Sequence, residues 1–308
     1  MPCRSPNCCK FIVKPLKAYL SEKQKLVDRE LKRQLPSVST SPATIHQAMR
    51  YSIFAGGKRL RPILCLAAAE ACGGKDEEAL SLAAAVECIH TYSLIHDDLP
   101  CMDDDDFRRG NPTSHKKYGE GIAVLAGDAL LTIAFEIVAN AKAQPRYNTA
   151  TLVRELAVTS GSRKLIAGQV LDLEGEGKGS TLTLAQLKRI HLGKTAALLT
   201  TSIRFGGMSA NTTAKRLEAL TVFGQSLGLA FQVIDDILDV TQTSEKLGKS
   251  AGKDEAVDKA TYPSLMGLER SRREARKLTK KAMDALTVFG ARGQRLAEIA
   301  DYLLAREY

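Results

Sequence analysis

The sequence predicts an all-α protein whose helices pack as one bundle. Tryptophan is absent and aromatic residues make up only 5% of the chain, whereas the helix-forming residues alanine and leucine are abundant. Apolar residues recur at helical spacing, and no segment shows the alternation of a half-buried strand. Because no long Gly/Ser/Pro tract and no internal repeat divides the 308 residues, we predict a single helical domain over residues 14–308.

The segment before this domain is expected to be a disordered extension. Residues 1–13 contain Cys3, Cys8 and Cys9 but no helical periodicity. A small metal site at these thiols and a short plastid-type leader are the alternatives. A secretory signal is not expected, because the segment lacks the apolar stretch of about 7–15 residues that such signals need.

Proline and glycine divide the first third of the chain into four predicted helices. Pro36 follows an imperfect apolar stripe in the first helix, and Gly56 ends the second. Pro62 fits the first turn of the third helix, and Gly73 ends that helix. The four predicted ranges are 14–34, 45–55, 62–72 and 77–96.

The remainder is predicted to be helical apart from three polar loops. Two helices are expected at the end of the chain, up to about Arg306. Apolar, alanine-rich segments predict four helices before them, over 121–143, 148–167, 184–205 and 214–240. Polar segments predict loops over 103–119, 175–183 and 247–262. The first and third loops follow clusters of aspartates, and long loops commonly carry functional residues.

Two clusters of carboxylates lie at the ends of apolar helices, and the clusters are about half a chain apart in the sequence. Their members are Asp97, Asp98 and Asp103 in the first and Asp235, Asp236 and Asp239 in the second. Carboxylates at the end of a buried helix are costly unless a cation neutralises them, and clusters of oxygen ligands suit Mg²⁺. Pro100 must bend the chain, which can return Asp103 towards Asp97. We therefore predict Mg²⁺ ions that grip a phosphate-bearing substrate.

Two other interpretations of the acidic clusters are disfavoured. A solvated acidic helix end is unfavourable because acids at a C-terminal end oppose the helix dipole, and Asp235 and Asp239, four residues apart, share one helix face. An EF-hand calcium loop is excluded, since the alternating ligands, central glycine and final glutamate of that motif are missing.

Basic residues beside both clusters offer sites for an anion. The formal net charge is +9, but no recognised nucleic-acid motif accompanies it, so we expect no nucleic-acid partner. Lys58 and Arg61 lie at a helix start after paired glycines, which is a ready anion site although it lacks the order of a Walker loop. His90 is either an ordinary core histidine or a donor to that anion. Further candidates are Arg108, Arg109, Lys194, Lys249 and Lys259.

Cysteine spacing and hydropathy predict a cytoplasmic location without a membrane span. The seven cysteines show no paired CxxC spacing, so we expect free thiols in a reducing cytoplasm. No apolar run is expected to reach the roughly 20 residues that span a bilayer.

Six motifs resemble, in order and spacing, those of the trans-isoprenyl diphosphate synthases. They are GGKRLRP, SLIHDDLPCMDDDDFRRGNPTSH, GQVLDLEGEG, HLGKTAALL, GLAFQVIDDILDV and KATYPSLMGLE. The resemblance extends from about residue 44 to the C-terminus. It implies an isoprenoid synthase-type helical bundle around a central substrate cavity. It also implies a homodimer that joins isopentenyl diphosphate to an allylic diphosphate.

The resemblance further implies roles for individual residues. Three magnesium ions per active site, which Mn²⁺ can replace, would be held by Asp97, Asp98, Asp103, Asp235 and Asp239. The isopentenyl diphosphate site would comprise Gly57, Lys58, Arg61, His90 and Arg109. The allylic diphosphate site would comprise Arg108, Lys194, Thr195, Gln232, Lys249 and Lys259. The residues expected to carry catalysis are Asp97, Asp98, Asp103, Arg108, Lys194, Asp235, Asp236 and Lys249. No nucleophilic side chain is needed, because the alkene attacks the allylic cation, and released pyrophosphate is the expected base.

Product length is expected to depend on Tyr92, which is followed by the smaller Ser93. Tyr92 lies five residues before Asp97, about 7.5 Å deeper along the helix, where its ring can form the floor of the cavity. A tyrosine at this position resembles bacterial-type farnesyl diphosphate synthases, so we predict farnesyl diphosphate as the product. Geranylgeranyl diphosphate is the alternative, because LGKSAGKD resembles plant and cyanobacterial geranylgeranyl synthases, and Tyr92 is then an ordinary core aromatic.

Two further classes of function are weighed against this prediction. A non-catalytic partner subunit would typically lose the acidic motifs, and this chain keeps both. A terpene cyclase also uses magnesium and a diphosphate in a helical fold, but it would not need a second diphosphate site at Lys58, Arg61 and His90.

Overall fold

The computed structural model describes residues 14–177, 181–241 and 260–305, and nearly every element within these ranges is helical. The predicted all-α fold is therefore confirmed. The α-helices are α1 Leu16–Gln34, α2 Ala43–Phe54, α3 Leu60–Ala71, α4 Asp76–Asp97, α5 Ser114–Tyr118, α6 Glu120–Ala139, α7 Thr149–Ser160, α8 Leu165–Gly175, α9 Leu184–His191, α10 Ala197–Ser209, α11 Ala214–Thr241, α12 Tyr262–Met266, α13 Leu268–Ala285 and α14 Gln294–Leu304. The predicted extension at residues 1–13 lies outside the described residues.

Three short elements join the helices. A π-helix, Leu192–Ala196, connects α9 to α10, and a 3₁₀-helix, Leu286–Gly293, connects α13 to α14. Between α4 and α5 the two-residue strands β1, Phe107–Arg108, and β2, Asn111–Pro112, pair in an antiparallel hairpin.

Local sequence signals place several helix starts. Acidic residues fill the first turn of α4, where they complement the helix dipole. The side chain of Asn148 accepts a hydrogen bond from the amide of Thr151 at the start of α7. Thr183 and Gln186 form a reciprocal capping box at α9. These caps satisfy backbone amides that a helix start would otherwise leave unpaired.

The apolar core consists of two buried clusters, and helices α3 and α10 contribute to both. The first cluster surrounds α4 and includes Leu82, Ile89 and Leu130. The second surrounds α11 and includes Phe223 and Leu227. The ends of α4 and α11, which carry the acidic clusters, thus extend from the two most buried parts of the bundle. That residues 14–308 form one domain stays a prediction.

The structure differs from three predicted elements. The helix predicted over 148–167 ends at Ser160, because the chain turns at Gly161 before α8 begins. The helix predicted over 184–205 is interrupted by the π-helix. The loop predicted over 103–119 contains the β-hairpin and α5, since two-residue strands are too short to produce an alternating pattern.

Two helices are long and apolar enough to cross a membrane, judged by length and composition alone. They are α6, with 39% of its most apolar window buried, and α11, with 61%. The expectation that no segment reaches this length and hydropathy is therefore wrong. In α11 the apolar residues pack in the second core cluster, which explains their abundance in this helix. The absence of a membrane span stays a prediction.

Candidate active site

The first acidic cluster lies where α4 ends and the chain turns back on itself. After Pro100 the backbone bends, and the amide of Asp103 donates a hydrogen bond to the carbonyl of Asp97 at 2.8 Å. The bend that Pro100 predicts thus returns Asp103 to the end of α4, beside Asp97.

The carboxylate of Asp97 lies in an environment that disfavours its charge. Burial raises the pKa of Asp97 to about 6; Lys194 opposes this shift, whereas Asp103 adds to it. A divalent cation held between Asp97 and Asp103 would relieve both the burial cost and the repulsion. The oxygen donors and the raised pKa at this site therefore fit a metal such as Mg²⁺.

Asp98, by contrast, already has a cationic partner. Its two carboxylate oxygens accept hydrogen bonds from Nε of Arg108 at 2.7 and 2.9 Å. Asp98 is only 3% exposed, and its burial raises the pKa of its carboxyl while Arg108 lowers it. In this structure Asp98 fixes Arg108 in place, and its role as a metal ligand stays a prediction.

The second acidic cluster divides into residues with different contacts. Asp235 is half-buried and Asp239 is 8% exposed, so both could serve a metal with little solvent competition. Asp236 instead accepts a hydrogen bond from the amide of Tyr262 at 2.9 Å. The ring of His191 stacks on Tyr262, and its Nε2 lies 3.7 Å from the Asp236 carboxylate. Asp236 therefore holds the start of α12 against α11.

The π-helix connects the two clusters. Nζ of Lys194 pairs with the carboxylate of Asp172 at 2.6 Å, and Lys194 also acts electrostatically on Asp97. The Thr195 hydroxyl donates a hydrogen bond to Gln232 on α11 at 2.5 Å. Gln232 lies one helical turn before Asp235 and Asp236. The structure thus links the end of α4 to the end of α11 through the π-helix.

A basic cavity of about 740 Å³ is lined by residues 55–61, by Glu87 and His90 on α4, and by Arg109. All five residues predicted for isopentenyl diphosphate line it, namely Gly57, Lys58, Arg61, His90 and Arg109. Gly57 has φ +118°, and a Cβ there would lie 2.7 Å from the guanidinium carbon of Arg109. Only glycine leaves room for that guanidinium.

The charges in this cavity favour an anionic ligand. Arg61 donates a hydrogen bond from Nη1 to Nε2 of His90 at 3.2 Å. The buried Nε of Arg61 has no hydrogen-bond partner in the part of the chain that the structure describes. Burial lowers the pKa of Arg61, and burial followed by the charge of Arg61 holds the pKa of His90 well below its usual value. His90 is therefore neutral at pH 7, with Nδ1–H free to donate. A diphosphate would satisfy these donors and neutralise the excess positive charge.

A second cavity of about 610 Å³ has a mainly apolar lining. Asp97, Lys194 and Thr195 are among its polar lining residues. Its walls include Tyr92 and Ser93 on α4 and the apolar side chains Leu131, Ile166, Val170 and Leu173 on α6 and α8. Arg61 and His90 line this cavity as well as the first. The two cavities therefore adjoin, and these two side chains form part of the wall between them.

The structure shows two polar contacts that the sequence does not predict, and two predicted residues lie outside its described part. Asp172, the partner of Lys194, is not among the predicted site residues. It lies in the motif GQVLDLEGEG, which precedes the motif HLGKTAALL that contains Lys194. Arg59 was also missed; it is buried and pairs with Asp28 at 2.9 Å and Glu87 at 2.8 Å, so it supports the loop of the basic cavity. Lys249 and Lys259, predicted for the allylic diphosphate, lie outside the described residues.

Asp172→Asn is expected to lower turnover by up to about 10²-fold. The substitution removes the charged partner that positions Lys194, and a small displacement of a catalytic group has an effect of this size. Steady-state kinetics with both substrates checks this. Glu174→Gln, an exposed acidic residue on the same helix, is the matched control and should leave turnover unchanged. Equal turnover in the two variants would contradict the positioning role.

Comparison with known proteins adds an independent line of observation. The family described as polyprenyl synthetase matches residues 42–290. A chloroplastic geranylgeranyl pyrophosphate synthase of Capsicum annuum is 50% identical over 94% of this chain and 79% of its own length. A geranylgeranyl diphosphate synthase of Cyanophora paradoxa is 45% identical over 94% of this chain and 96% of its own length. The crystal structure of an FPP/GFPP synthase from Zymomonas mobilis superposes with a TM-score of 0.83 at 36% identity, covering 94% of this chain and 98% of the other.

Proposed function

The chain belongs to the polyprenyl synthetase family, and from this premise we propose that it is a geranylgeranyl diphosphate synthase. It is a prenyltransferase, and the proposal concerns its substrates and product. Isopentenyl diphosphate would add to dimethylallyl, geranyl and farnesyl diphosphate in turn. This product is the alternative of the sequence analysis, and it is better supported than the farnesyl diphosphate predicted there from Tyr92.

The observation that carries the proposal is the shared wall between the two cavities. Arg61 and His90 contact both the basic cavity and the apolar cavity. A diphosphate bound in the basic cavity would therefore lie next to a cavity that can hold an isoprenoid tail. This arrangement suits a condensation in which the alkene of one substrate must reach C1 of the other.

The side chains of this protein would bind, orient and shield the reactants. Lys58, Arg61 and Arg109 would hold isopentenyl diphosphate, and Lys194, oriented by Asp172, would contact the allylic diphosphate. Mg²⁺ held by Asp97, Asp103, Asp235 and Asp239 would neutralise the charge that develops on the departing diphosphate. The apolar walls keep water away from the allylic cation, which the alkene then attacks. A proton leaves the resulting intermediate, and pyrophosphate is the acceptor.

Two observations support a product of twenty carbons. Geranylgeranyl synthases are the named function of the Capsicum and Cyanophora relatives, which resemble this chain over 94% of its length. Tyr92 is only 5% exposed although it borders the apolar cavity. A ring that crossed an open cavity would present much of its surface there. Tyr92 instead packs in the first core cluster, edge-on to His96, which leaves the apolar face of α8 free to guide a longer tail.

Farnesyl diphosphate is the second candidate. Tyr92 is among the residues that line the apolar cavity, and the Zymomonas mobilis relative is named an FPP/GFPP synthase. A modest rotation of the Tyr92 ring towards the cavity would shorten the space available to the isoprenoid tail.

Chain-length analysis tests the proposed product. With labelled isopentenyl diphosphate and dimethylallyl diphosphate, we expect the twenty-carbon diphosphate as the main product. Tyr92→Ala should extend the distribution beyond twenty carbons, because the vacated space can bury added methylene groups at about 0.8 kcal/mol each. The truncation should also destabilise the fold by about 3–5 kcal/mol. Tyr92→Phe, which keeps the ring, is the control. A wild-type enzyme that stops at fifteen carbons would refute the proposal and favour the second candidate.

A homodimer and a cytoplasmic location complete the proposal. The apolar side chains Val124 and Leu125 on α6 are 39% and 55% exposed, which fits contact with a second copy of the chain. The described cysteines Cys65, Cys72, Cys88 and Cys101 are free, which fits a reducing compartment. The Capsicum relative is described as chloroplastic, so the cytoplasmic location stays a prediction that fractionation or microscopy would check.

A further inference from the structure

A group of possible metal ligands lies outside the residues discussed so far. Asp104, Asp106 and His115 each offer one ligand atom, and these atoms lie within 4.8 Å of one another. The two aspartates are exposed, whereas His115 is only 6% exposed. None of the three was predicted to bind magnesium. Asp104 has φ +49°, so the chain changes direction directly after Asp103.

The hydrogen bonds around His115 are compatible with a proton on its Nδ1. The amide of Thr113 donates to the carbonyl of Asp106 at 2.9 Å, and the Thr113 hydroxyl donates to the same carbonyl at 3.3 Å. That hydroxyl has a single hydrogen. When that hydrogen points to the Asp106 carbonyl, the contact with Nδ1 of His115 at 3.1 Å is one in which Nδ1–H donates and the hydroxyl oxygen accepts.

In that arrangement, Nε2 of the buried imidazole is unprotonated. Nε2 of His115 is buried and has no hydrogen-bond partner among the described residues. A buried acceptor without a donor is costly. Metal-binding histidines typically have this arrangement, in which one ring nitrogen is fixed by a second hydrogen-bonding group and the other presents its lone pair.

We propose that Asp104, Asp106 and His115 form a binding site for a divalent transition-metal cation, separate from the catalytic magnesium sites. A mixed set of one imidazole and two carboxylates suits Zn²⁺, Co²⁺ or Mn²⁺ better than Mg²⁺ or Ca²⁺, which prefer oxygen ligands alone. Lys116 pairs with one oxygen of Asp106 at 2.7 Å, which leaves the other oxygen available. The ion would replace an unsatisfied buried acceptor by a metal–nitrogen bond.

Such an ion would join the loop after the first acidic cluster to α5. The β-hairpin that carries Arg108 and Arg109 lies between Asp106 and His115 in the chain. A metal bridging these two residues closes that hairpin at its base. The site therefore stabilises the segment that supplies arginines to both diphosphate sites, without contacting either substrate.

Titration of the full-length protein with Co²⁺, in excess Mg²⁺, tests the site through the visible absorption of bound Co²⁺. We expect the wild type to show a component that His115→Gln weakens by about tenfold or more. Thr113→Val should weaken it by about 10- to 100-fold, the usual effect of removing a group that orients a metal-bound histidine. His46→Gln, at a histidine elsewhere whose Nδ1 contacts the carbonyl of Thr40, is the matched control and should keep the component.

Two further variants make the outcome decisive. Asp104→Asn alters an exposed side chain, so it should fold normally and still lose the Co²⁺ component. The triple variant Cys3→Ser/Cys8→Ser/Cys9→Ser should keep it, which separates this site from binding at the N-terminal thiols. Identical Co²⁺ titrations of wild type, His115→Gln and Asp104→Asn would overturn the proposal. So would a nitrogen-15 spectrum showing the His115 proton on Nε2.

Discussion

Asp97→Asn is expected to reduce turnover by about 10²- to 10³-fold while making the metal-free protein more stable at neutral pH. The amide cannot supply the negative charge that a metal at the first acidic cluster requires. The substitution also removes a carboxylate whose negative charge is unfavourable in the folded protein, because the group is buried and lies near the charge of Asp103. The same substitution should therefore lower turnover and raise the stability of the metal-free protein.

The pH dependence of this stabilisation follows from the direction of the shift. The pKa of Asp97 is about 6 in the folded protein, above the value of about 3.9 expected for an unfolded chain. The contribution of Asp97 to stability is therefore present below about pH 4 and is lost as the pH rises through 6. Asp97→Asn should raise the melting temperature at pH 7.5 and change it little near pH 4.

Thermal melts in the presence of a chelator, with and without added Mg²⁺, provide the measurement. Added Mg²⁺ should raise the melting temperature of the wild type more than that of Asp97→Asn, because a ligand that binds only the folded state stabilises it. Asp301→Asn, at an exposed position on α14, is the control for a lost surface carboxylate. A variant with near-normal turnover, or one whose melting temperature follows the wild type at every pH, would contradict the assignment.

Gly168→Ala is expected to impair catalysis almost as strongly as Asp97→Asn, although residue 168 carries no polar side chain. Its Cβ would lie 2.8 Å from the Cα of Lys194 and 2.7 Å from the carbonyl carbon of Gly193. Both are backbone atoms of the π-helix, so the overlap cannot be relieved by a side-chain rotation. Either α8 or the π-helix must move, and Lys194 moves with it.

We expect a loss of about 10²-fold in turnover, the usual result of displacing a catalytic group by roughly 1 Å. Overpacking should also lower the free energy of unfolding by about 1–3 kcal/mol. Gly121→Ala, a helical glycine whose added Cβ would meet no atom within 4 Å, is the matched control and should retain full activity. If Gly168→Ala kept wild-type turnover, the close approach of α8 to the π-helix would have no catalytic importance.

The contrast between these two residues shows what the sequence could predict. Asp97 was predicted from composition and position alone, because a charged cluster after a buried run has few explanations. The full set of five residues in the basic cavity was implied by the family resemblance. The bend after Pro100 and the anion site at Lys58 and Arg61 followed instead from similar reasoning about helix ends and anions. Each of these inferences needs only residue type and local spacing.

Other features depend on contacts between segments that are distant in the sequence, so local sequence patterns could not predict them. The partner of Lys194 is Asp172, twenty-two residues away, and the π-helix arises where Gly168 of one helix meets Gly193 of another. Asp236 accepts a hydrogen bond from the amide of Tyr262, twenty-six residues away, and its role in catalysis stays a prediction. The burial of the Tyr92 ring in the first core cluster likewise depends on how α4 packs.

The wall shared by Arg61 and His90 has a consequence for successive rounds of synthesis. If the proposed reaction is correct, each new product keeps the diphosphate that arrived with isopentenyl diphosphate, so its head group ends on the basic side of the wall. To become the next allylic substrate, that head group must cross to the side of Asp97 and Lys194. Crossing competes with release into solvent. The ratio of these two rates, and not cavity depth alone, would then set how many short intermediates escape before elongation is complete.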